Sequence, residues 1–463
     1  MAFSGGSGTS GDPYLISTIT DLEDMDSPGY LAAHFKLTTN IDMSTTSYAN
    51  GEWGGIGNVS EPFTGVFDGN NKILSNIKIK ATNTSKRAGL FANTSGGEIK
   101  NLIITNGTNV SAVASAVGHM GFIAGTSVGT TITNCHATGA ITDCYREVGG
   151  IVGTTIGGTI SYCSATLVVE TNSYSVGGNF VGGIVGESTQ NTVIYRCKTD
   201  VTIDGQQNLG GIAGYHDGGS IIECYSTGSI KCRGISAGGI VGLLLAALST
   251  TPAALIKDCY SWVSVEDTAL DYRAYAGLIG YIQISAVDTV SIDVINCYSV
   301  GAVNPAVGTY YYGGLIGYKP ATKTTITSSF YDQDTSGQSD TGKGEPHTTS
   351  WMKTQANFTN SGWDFDTVWT IANPGTDYPL LRWDVPAPDP DAFVEPVKEP
   401  KILIRWRNNG KSDWTNYREI NLGDIGRTEI IKRIRGLGQY RTRQYEIVCT
   451  SGVPLTISGI EET

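Results

Sequence analysis

The chain is short of charge: only 16% of its 463 residues are Asp, Glu, Lys or Arg. Acids outnumber bases, for a formal net charge of −12. That balance argues against a nucleic-acid binder as a whole. Long apolar runs are also missing. The longest, residues 240–248, is far too short to span a bilayer, so no membrane span is expected. No segment keeps a helical period, so helices are not expected to carry the fold. Residues 1–8 lack both a basic start and an apolar core. No secretory signal is expected there, and the chain is expected to be made in a cytoplasm and not to leave by that route. Nine cysteines include no Cys-x-x-Cys pair, which removes the usual zinc-site pattern; no cofactor is expected.

Glycine, by contrast, is abundant, at 60 residues. Much of it sits in a returning string, Gly-Gly-Ile-Val-Gly and close variants. Taken on the glycine before the apolar pair, the string recurs at Gly89, Gly121, Gly150, Gly183, Gly211, Gly239, Gly277 and Gly314. The intervals are 32, 29, 33, 28, 28, 38 and 37 residues. Such a period marks a solenoid. Each unit alternates apolar and polar residues over short runs, with Gly, Asn, Asp and Ser between, which is the pattern of strands and turns. One unit cannot bury its apolar face alone, but stacked units bury a continuous core. The predicted fold is all-β: a β-helix of about nine or ten coils with a small C-terminal β domain. The glycine pairs either take positive φ or let the coil turn where a Cβ would clash.

A second marker follows each string. Cys135, Cys163, Cys197 and Cys224 come 13 or 14 residues after the glycine, and Cys259 and Cys297 come 20 after it. The added residues read as loop insertions. Leu102 and Ser329 fill the same slot in the first and last units. One repeated position for six cysteines predicts a ladder of reduced, buried thiols rather than disulfides.

Residues 1–62 read as an N-terminal cap, with strands near 13–16, 35–37 and 53–57 and a helical turn or two at 21–25. Residues 63–339 are the coils. Residues 340–384 break the period and form an aromatic C-terminal cap, with a short helix at 351–355. Residues 385–400 hold five prolines among several acids and read as a stiff linker. Residues 401–463 carry eleven Lys and Arg against seven Asp and Glu, unlike the rest of the chain. Strands are expected there at 402–406, 417–422, 430–434 and 445–450.

The markers, with Gly-Thr-Ser-Gly-Asp-Pro-Tyr-Leu-Ile at 8–16, Pro-Phe-Thr-Gly-Val-Phe-Asp-Gly-Asn at 62–70 and the closing Gly-Trp-Asp-Phe at 362–365 and Tyr-Pro-Leu-Leu-Arg-Trp at 378–383, resemble the GLUG-repeat family of large bacterial adhesins and surface proteins. The resemblance runs over residues 5–383. It implies a β-helix and no shared catalytic activity. The last domain is similar to the C-terminal segment of DNA-stabilisation and tail-hub proteins of short-tailed phages. It carries Arg405-Trp406, Asn-Gly-Lys-Ser-Asp-Trp at 409–414, Gly-Leu-Gly at 436–438 and Arg-Thr-Arg at 441–443. That implies a module docking on a phage tail.

Candidate sites follow from both parts. Trp406, Trp414, Arg433, Arg435, Arg441 and Arg443 are candidates for gripping an acidic partner by bidentate hydrogen bonds, with tail docking preferred over DNA. Tyr215, Tyr281 and Tyr318 each follow the last glycine of a marker, so they should share one face. With Tyr310, Tyr311 and Tyr312 they are sugar-contact candidates, against the plainer reading of strand preference for Tyr. The run beginning Asp332-Gln-Asp334 opens like a calcium loop, but Lys343 stands where the closing acid belongs, so no metal is expected. His216-Asp217 reads as an exposed loop pair. Glu187, Asp217, Glu266 and Asp267 are scattered acids with no catalytic pair singled out. Residues 243–248 read as a short helix lying on the solenoid.

The expectation is a non-enzymatic structural protein of a phage virion. The C-terminal domain docks on the tail with other tail proteins, in several copies following tail symmetry. The β-helix projects for contact with a host-surface glycan or protein, or braces the tail. The protein would be assembled into the virion tail in the host cytoplasm. A tailspike polysaccharide depolymerase and a bacterial surface adhesin are the alternatives.

Overall fold

The computed structural model describes residues 3–45, 52–80, 87–109, 118–142, 146–171, 180–246, 254–268, 273–284, 290–305, 311–385, 401–408, 418–421 and 443–449. The chain divides into two compact units, Met1–Arg382 and Trp383–Thr463.

The first unit is a parallel β-solenoid with three faces. Face 1 is a 22-stranded sheet, and faces 2 and 3 have eight strands each. One coil shows the path. Glu98–Asn109 runs on face 1, His119–Gly121 on face 3 and Ala124–Val128 on face 2. The chain then returns to face 1 at Thr131–Thr133 and His136–Thr142. Eight coils carry all three faces. The lead-in strands Tyr14–Ile16 and His34–Leu37 add rungs on face 1 alone.

Period-two patterning turns alternate side chains inward, and in-register parallel pairing then stacks like on like. Ile99, Ile132, Ile160, Ile194, Ile221 and Ile256 form one such column and are buried. The six marker cysteines form another, all buried and unbridged. Each thiol faces the carbonyl two residues before it, as Cys163 Sγ does at 3.2 Å from Ser161 O. Ser329 repeats that contact at 2.9 Å, and Leu102 fills the slot in the first coil.

Of the two roles expected for the glycine pairs, positive φ or close approach, the structure shows the second. The glycine pairs do not use positive φ; the residue before each cysteine does. Asn134, Tyr162, Arg196, Glu223, Asp258 and Asn296 all lie at φ between 50 and 54°. This left-handed residue bends face 1 between its two strands. Asn suits it, and Tyr162, Arg196 and Glu223 hold it at a conformational cost.

The glycines answer to close approach. A Cβ on Gly211 would lie 2.0 Å from the Gly239 carbonyl and 2.5 Å from Ser226 Oγ. The freed space holds a column of hydroxyls. Thr199 Oγ1 donates to Gly211 O at 2.8 Å, and Ser299 Oγ donates to Gly314 O at 2.7 Å. The pairing register also shifts one marker. Gly121 aligns with Gly149, not with Gly150. Phe122 therefore stands where later coils have their second glycine. It fits because Gly107 and Gly139 lie opposite, where a Cβ would come within 2.5 and 2.6 Å of its ring. Volume is exchanged across the core.

The stretch expected to be a helix at 243–248 is strand over its described part. Val241–Ala246 pairs in register with Ile279–Ile284, and Leu244 and Ala246 point inward. The apolar run reflects a buried strand, which periodicity alone does not separate from a short helix.

Both ends are closed with aromatics. At the start, Phe3, Tyr14, Tyr30 and Phe35 pack together beside a helix, Ile19–Asp24, held by a Thr18/Asp21 capping box. At the far end, Tyr225, Tyr260 and Tyr298 stack at 4.7 and 5.2 Å, and Trp363 and Trp369 lie against the last of them. Two short helices, Thr349–Met352 and Gln355–Asn360, carry Trp351 and Phe358 into this cap.

In the second unit the described residues form an antiparallel sheet. Lys401–Asn408 lies between Arg418–Asn421 and Arg443–Cys449. The linker after residue 385 and the strand expected at 430–434 fall outside the described residues.

Candidate functional site

Two columns of side chains run along the corner between faces 3 and 2. The face 3 column reads Arg87, His119, Glu147, Phe180, Asn208, Ser236, Ala274, Tyr311. The face 2 column reads Asn93, Thr126, Thr154, Glu187, Tyr215, Leu243, Tyr281, Tyr318. The backbone hardly changes from rung to rung, so chemistry along the corner is set by these side chains. One end is charged and the other aromatic.

At the aromatic end, Tyr281 and Tyr318 stack at 4.6 Å, and Tyr311 meets Tyr318 edge-on at 4.7 Å. Tyr311 and Tyr312 are 40 and 42% exposed. Tyr215 shares the column, but Leu243 separates it from Tyr281, and it stacks on Phe180 at 4.8 Å instead. A stack occupies the ring faces, so the column offers solvent its edges and hydroxyls. Tyr310 lies outside the described residues.

At the charged end, contacts run diagonally between the columns. Arg87 Nε donates to Thr126 Oγ1 at 2.8 Å. His119 Nδ1 meets Thr154 Oγ1 at 2.5 Å, and Thr154 Oγ1 donates to Glu187 Oε2 at 3.4 Å. Glu147 is 2% exposed; its Oε2 lies 3.3 Å from His119 Nδ1, and its Oε1 lies 3.5 Å from Arg146 Nε. Burial, with Glu187 adding to it against Arg146, pushes the Glu147 carboxyl up to about 7. Burial also raises Glu187. Burial, then the charges of Arg87 and Arg146, hold His119 down to about 4. The ligand atoms of His119, Glu147 and Glu187 all lie within 4.8 Å of one another.

This cluster was not legible from the markers as counted. Setting Gly121 against Gly150 puts His119 one residue out of step with Glu147. Aligning both residues on the first glycine of each pair stacks them directly.

Several other expected features sit elsewhere. His216 is not on an exposed loop. It is fully buried on a face 2 strand, bonded to Ser188 Oγ at 2.7 Å. Asp332 caps a helical turn, Gln333–Ser336, and accepts from Thr349 Oγ1 at 2.7 Å and Tyr378 OH at 2.6 Å. Its oxygens are engaged in structure rather than in a calcium loop. Trp406 and Arg443 lie on strands of the second unit; Trp414, Arg433, Arg435 and Arg441 are outside the described residues.

The solenoid carries one stretch that a family model of the GLUG motif matches, residues 205–231. A stretch of 89 residues is 47% identical to a protein of Evansella cellulosilytica described as a Gly-rich membrane protein, covering 19% of this chain and 10% of that one. Another, of 123 residues, is 36% identical to halomucin of Haloquadratum walsbyi, covering 26% of this chain and 1% of that protein. The chain thus matches only a small part of the length of either relative. Among solved structures, a Bacteroides ovatus protein described as an immunoglobulin A1 protease is 19% identical, with a TM-score of 0.45 over 83% of this chain and 96% of that one. A second, described as an IgA1 protease, is 15% identical, with a TM-score of 0.45 over 82% of this chain and 25% of that one. No helix among the described residues is long and apolar enough to cross a membrane.

Proposed function

We propose that this protein is an adhesive stem: the β-solenoid presents its aromatic corner to carbohydrate on a cell surface, and residues 401–463 fix it to a carrier. The observation that carries this is the stack of half-buried Tyr281 and Tyr318 with exposed Tyr311 against it, on a regular scaffold. Tyrosines combine apolar edges with a hydrogen-bonding hydroxyl, which suits a sugar's mixed surface. The matches to a Gly-rich membrane protein and to halomucin favour a surface role. The proposed carrier is the tail of a short-tailed phage, on the resemblance of the last domain. The stem would then be a virion component in several copies, assembled in the host cytoplasm. This reading needs no catalysis. Glu147, the acid with the most displaced carboxyl, is too buried to reach a glycosidic bond.

The test is a glycan array probed with the full chain and with a Tyr281→Ser/Tyr318→Ser variant. Binding that falls at least about tenfold in the variant, at unchanged melting, supports the reading. No binding by the parent chain, or equal binding by both, overturns it. Adding the full chain and a form ending at residue 384 to tails assembled without the protein tests the carrier. Equal incorporation of both forms removes the docking role of the last domain. Release of reducing ends from the bound glycan would move the depolymerase reading ahead.

A further inference from the structure

We propose that His119, Glu147 and Glu187 form a binding site for a divalent transition-metal ion of the zinc class. The three donors come from three successive coils. His119 and Glu147 are adjacent rungs of face 3, and Glu187 follows on face 2. Their ligand atoms lie within 4.8 Å of one another, and side-chain shifts of about 1 Å bring them to the roughly 3.4 Å that separates donors held about 2.0–2.2 Å from one tetrahedral ion. Little rearrangement is needed.

A second observation points the same way. Glu147 Oε2 is buried and makes no hydrogen bond among the described residues: His119 Nδ1, 3.3 Å away, lies nearer to Thr154 Oγ1, at 2.5 Å. A buried carboxylate oxygen left in that condition is unfavourable unless a cation or a proton meets it. It is aimed at His119, and Glu187 stands on the next coil. A metal ion placed among the three satisfies it.

The donor set chooses the metal. Calcium and magnesium take oxygen ligands, whereas one imidazole with two carboxylates suits zinc, cobalt, manganese or iron in the divalent state. Three protein ligands leave a coordination position for water. The Thr154 hydroxyl donates to Glu187 Oε2 and orients that ligand from behind, while its contact with His119 Nδ1 gives way when that nitrogen takes the metal. Two cations oppose binding. Arg87 sits on the rung before His119, and Arg146 lies against Glu147. Arg146 has a side chain 55% exposed, so solvent screens it, and it sets the affinity rather than forbidding occupancy.

Chelator-stripped full-length protein would be titrated with Zn²⁺ and Co²⁺ by calorimetry and visible absorption. The expected result is one ion per chain and a rise in melting temperature, with neither effect from Ca²⁺ or Mg²⁺ at equal concentration. The Co²⁺ spectrum should lack a sulfur charge-transfer band, which separates this site from the chain's cysteines. Glu187→Gln should weaken binding at least tenfold with metal-free melting unchanged. Glu147→Gln keeps the shape and removes the charge, so it should fold and lose the metal-induced rise. Arg146→Gln should tighten binding. No uptake by the parent protein, a sulfur band, or parent-like binding by Glu187→Gln and Glu147→Gln would each overturn the site and assign Glu147 a retained proton instead.

Discussion

Two columns of the same solenoid make opposite use of the repeat. Inside face 1, Cys135 to Cys297 occupy one position six times with one residue type, each against the same carbonyl geometry. Along the outer corner, equivalent positions run from Arg87 through Glu147 to Tyr311 with hardly a residue repeated. The inner column is constrained by neighbours above, below and across the core. The corner column is also largely buried, from Glu147 to Ala274, but its side chains pair diagonally with a second column, so the two can differ together while the backbone pairing stays the same. The repeat is thus a scaffold requirement, and function belongs where the repeat is broken.

The comparison is broken most severely from inside. Cys224→Asp places an unpaired charge in the ladder and should destabilise by about 5 kcal/mol, read as a loss of soluble folded protein or a large fall in the denaturation midpoint. A soluble variant with unchanged melting would refute the inward ladder. Gly211→Ala adds only a methyl group, but the atoms it meets are a backbone carbonyl and a bonded hydroxyl. A loss of about 3 kcal/mol is expected. Ala276, which occupies the first-glycine position of its coil, shows that the neighbouring slot accepts a methyl.

A buried polar group sharpens the contrast through pH. Burial holds His216 down to about 4 from 6.5. As pH falls, the unfolded chain binds the proton first. The stability tied to neutral His216 is therefore complete above about pH 6.5 and is lost as pH falls toward 4. The loss approaches about 3 kcal/mol at the acid limit. His216→Leu should flatten that part of the stability–pH curve, measured by denaturant titration from pH 4 to 7. An unchanged slope would mean that His216 is reached by water.

Smaller effects belong to the surface. Tyr162, 42% exposed at φ 54°, should give way to Gly with a gain of about 1 kcal/mol, because the left-handed backbone no longer opposes a Cβ. Tyr318→Ala should change stability by less than about 1 kcal/mol, since it stands on the last face 2 rung, while lowering glycan binding about tenfold. A glycan affinity that ignores Tyr318 would move the contact off this corner.

Much of the fold was legible because a solenoid writes its three-dimensional period into the chain. The cysteine slot and its substitutes, Leu102 and Ser329, were readable as a single buried column from spacing alone. So were the three strands of the last unit's described sheet. The charged corner was not readable in the same way. Its members are 28 and 40 residues apart in sequence, from His119 to Glu147 and from Glu147 to Glu187, and they meet only when the register is right to the residue. A marker slipped by one at Gly121 was enough to hide them. Sequence spacing also could not say that the residue before each cysteine, rather than the glycine pair, carries the left-handed turn.

By itself, then, the sequence determined the repeat, its period, the inward columns and the closing aromatics, because stacked coils require like residues at like intervals. Only the tertiary structure decided the register between coils, the exchange of Phe122 against Gly107 and Gly139, and the meeting of His119, Glu147 and Glu187. Those depend on side chains brought within a few ångströms across different strands. Hydrogen bonding between coils sets that distance, and no local pattern in the chain records it.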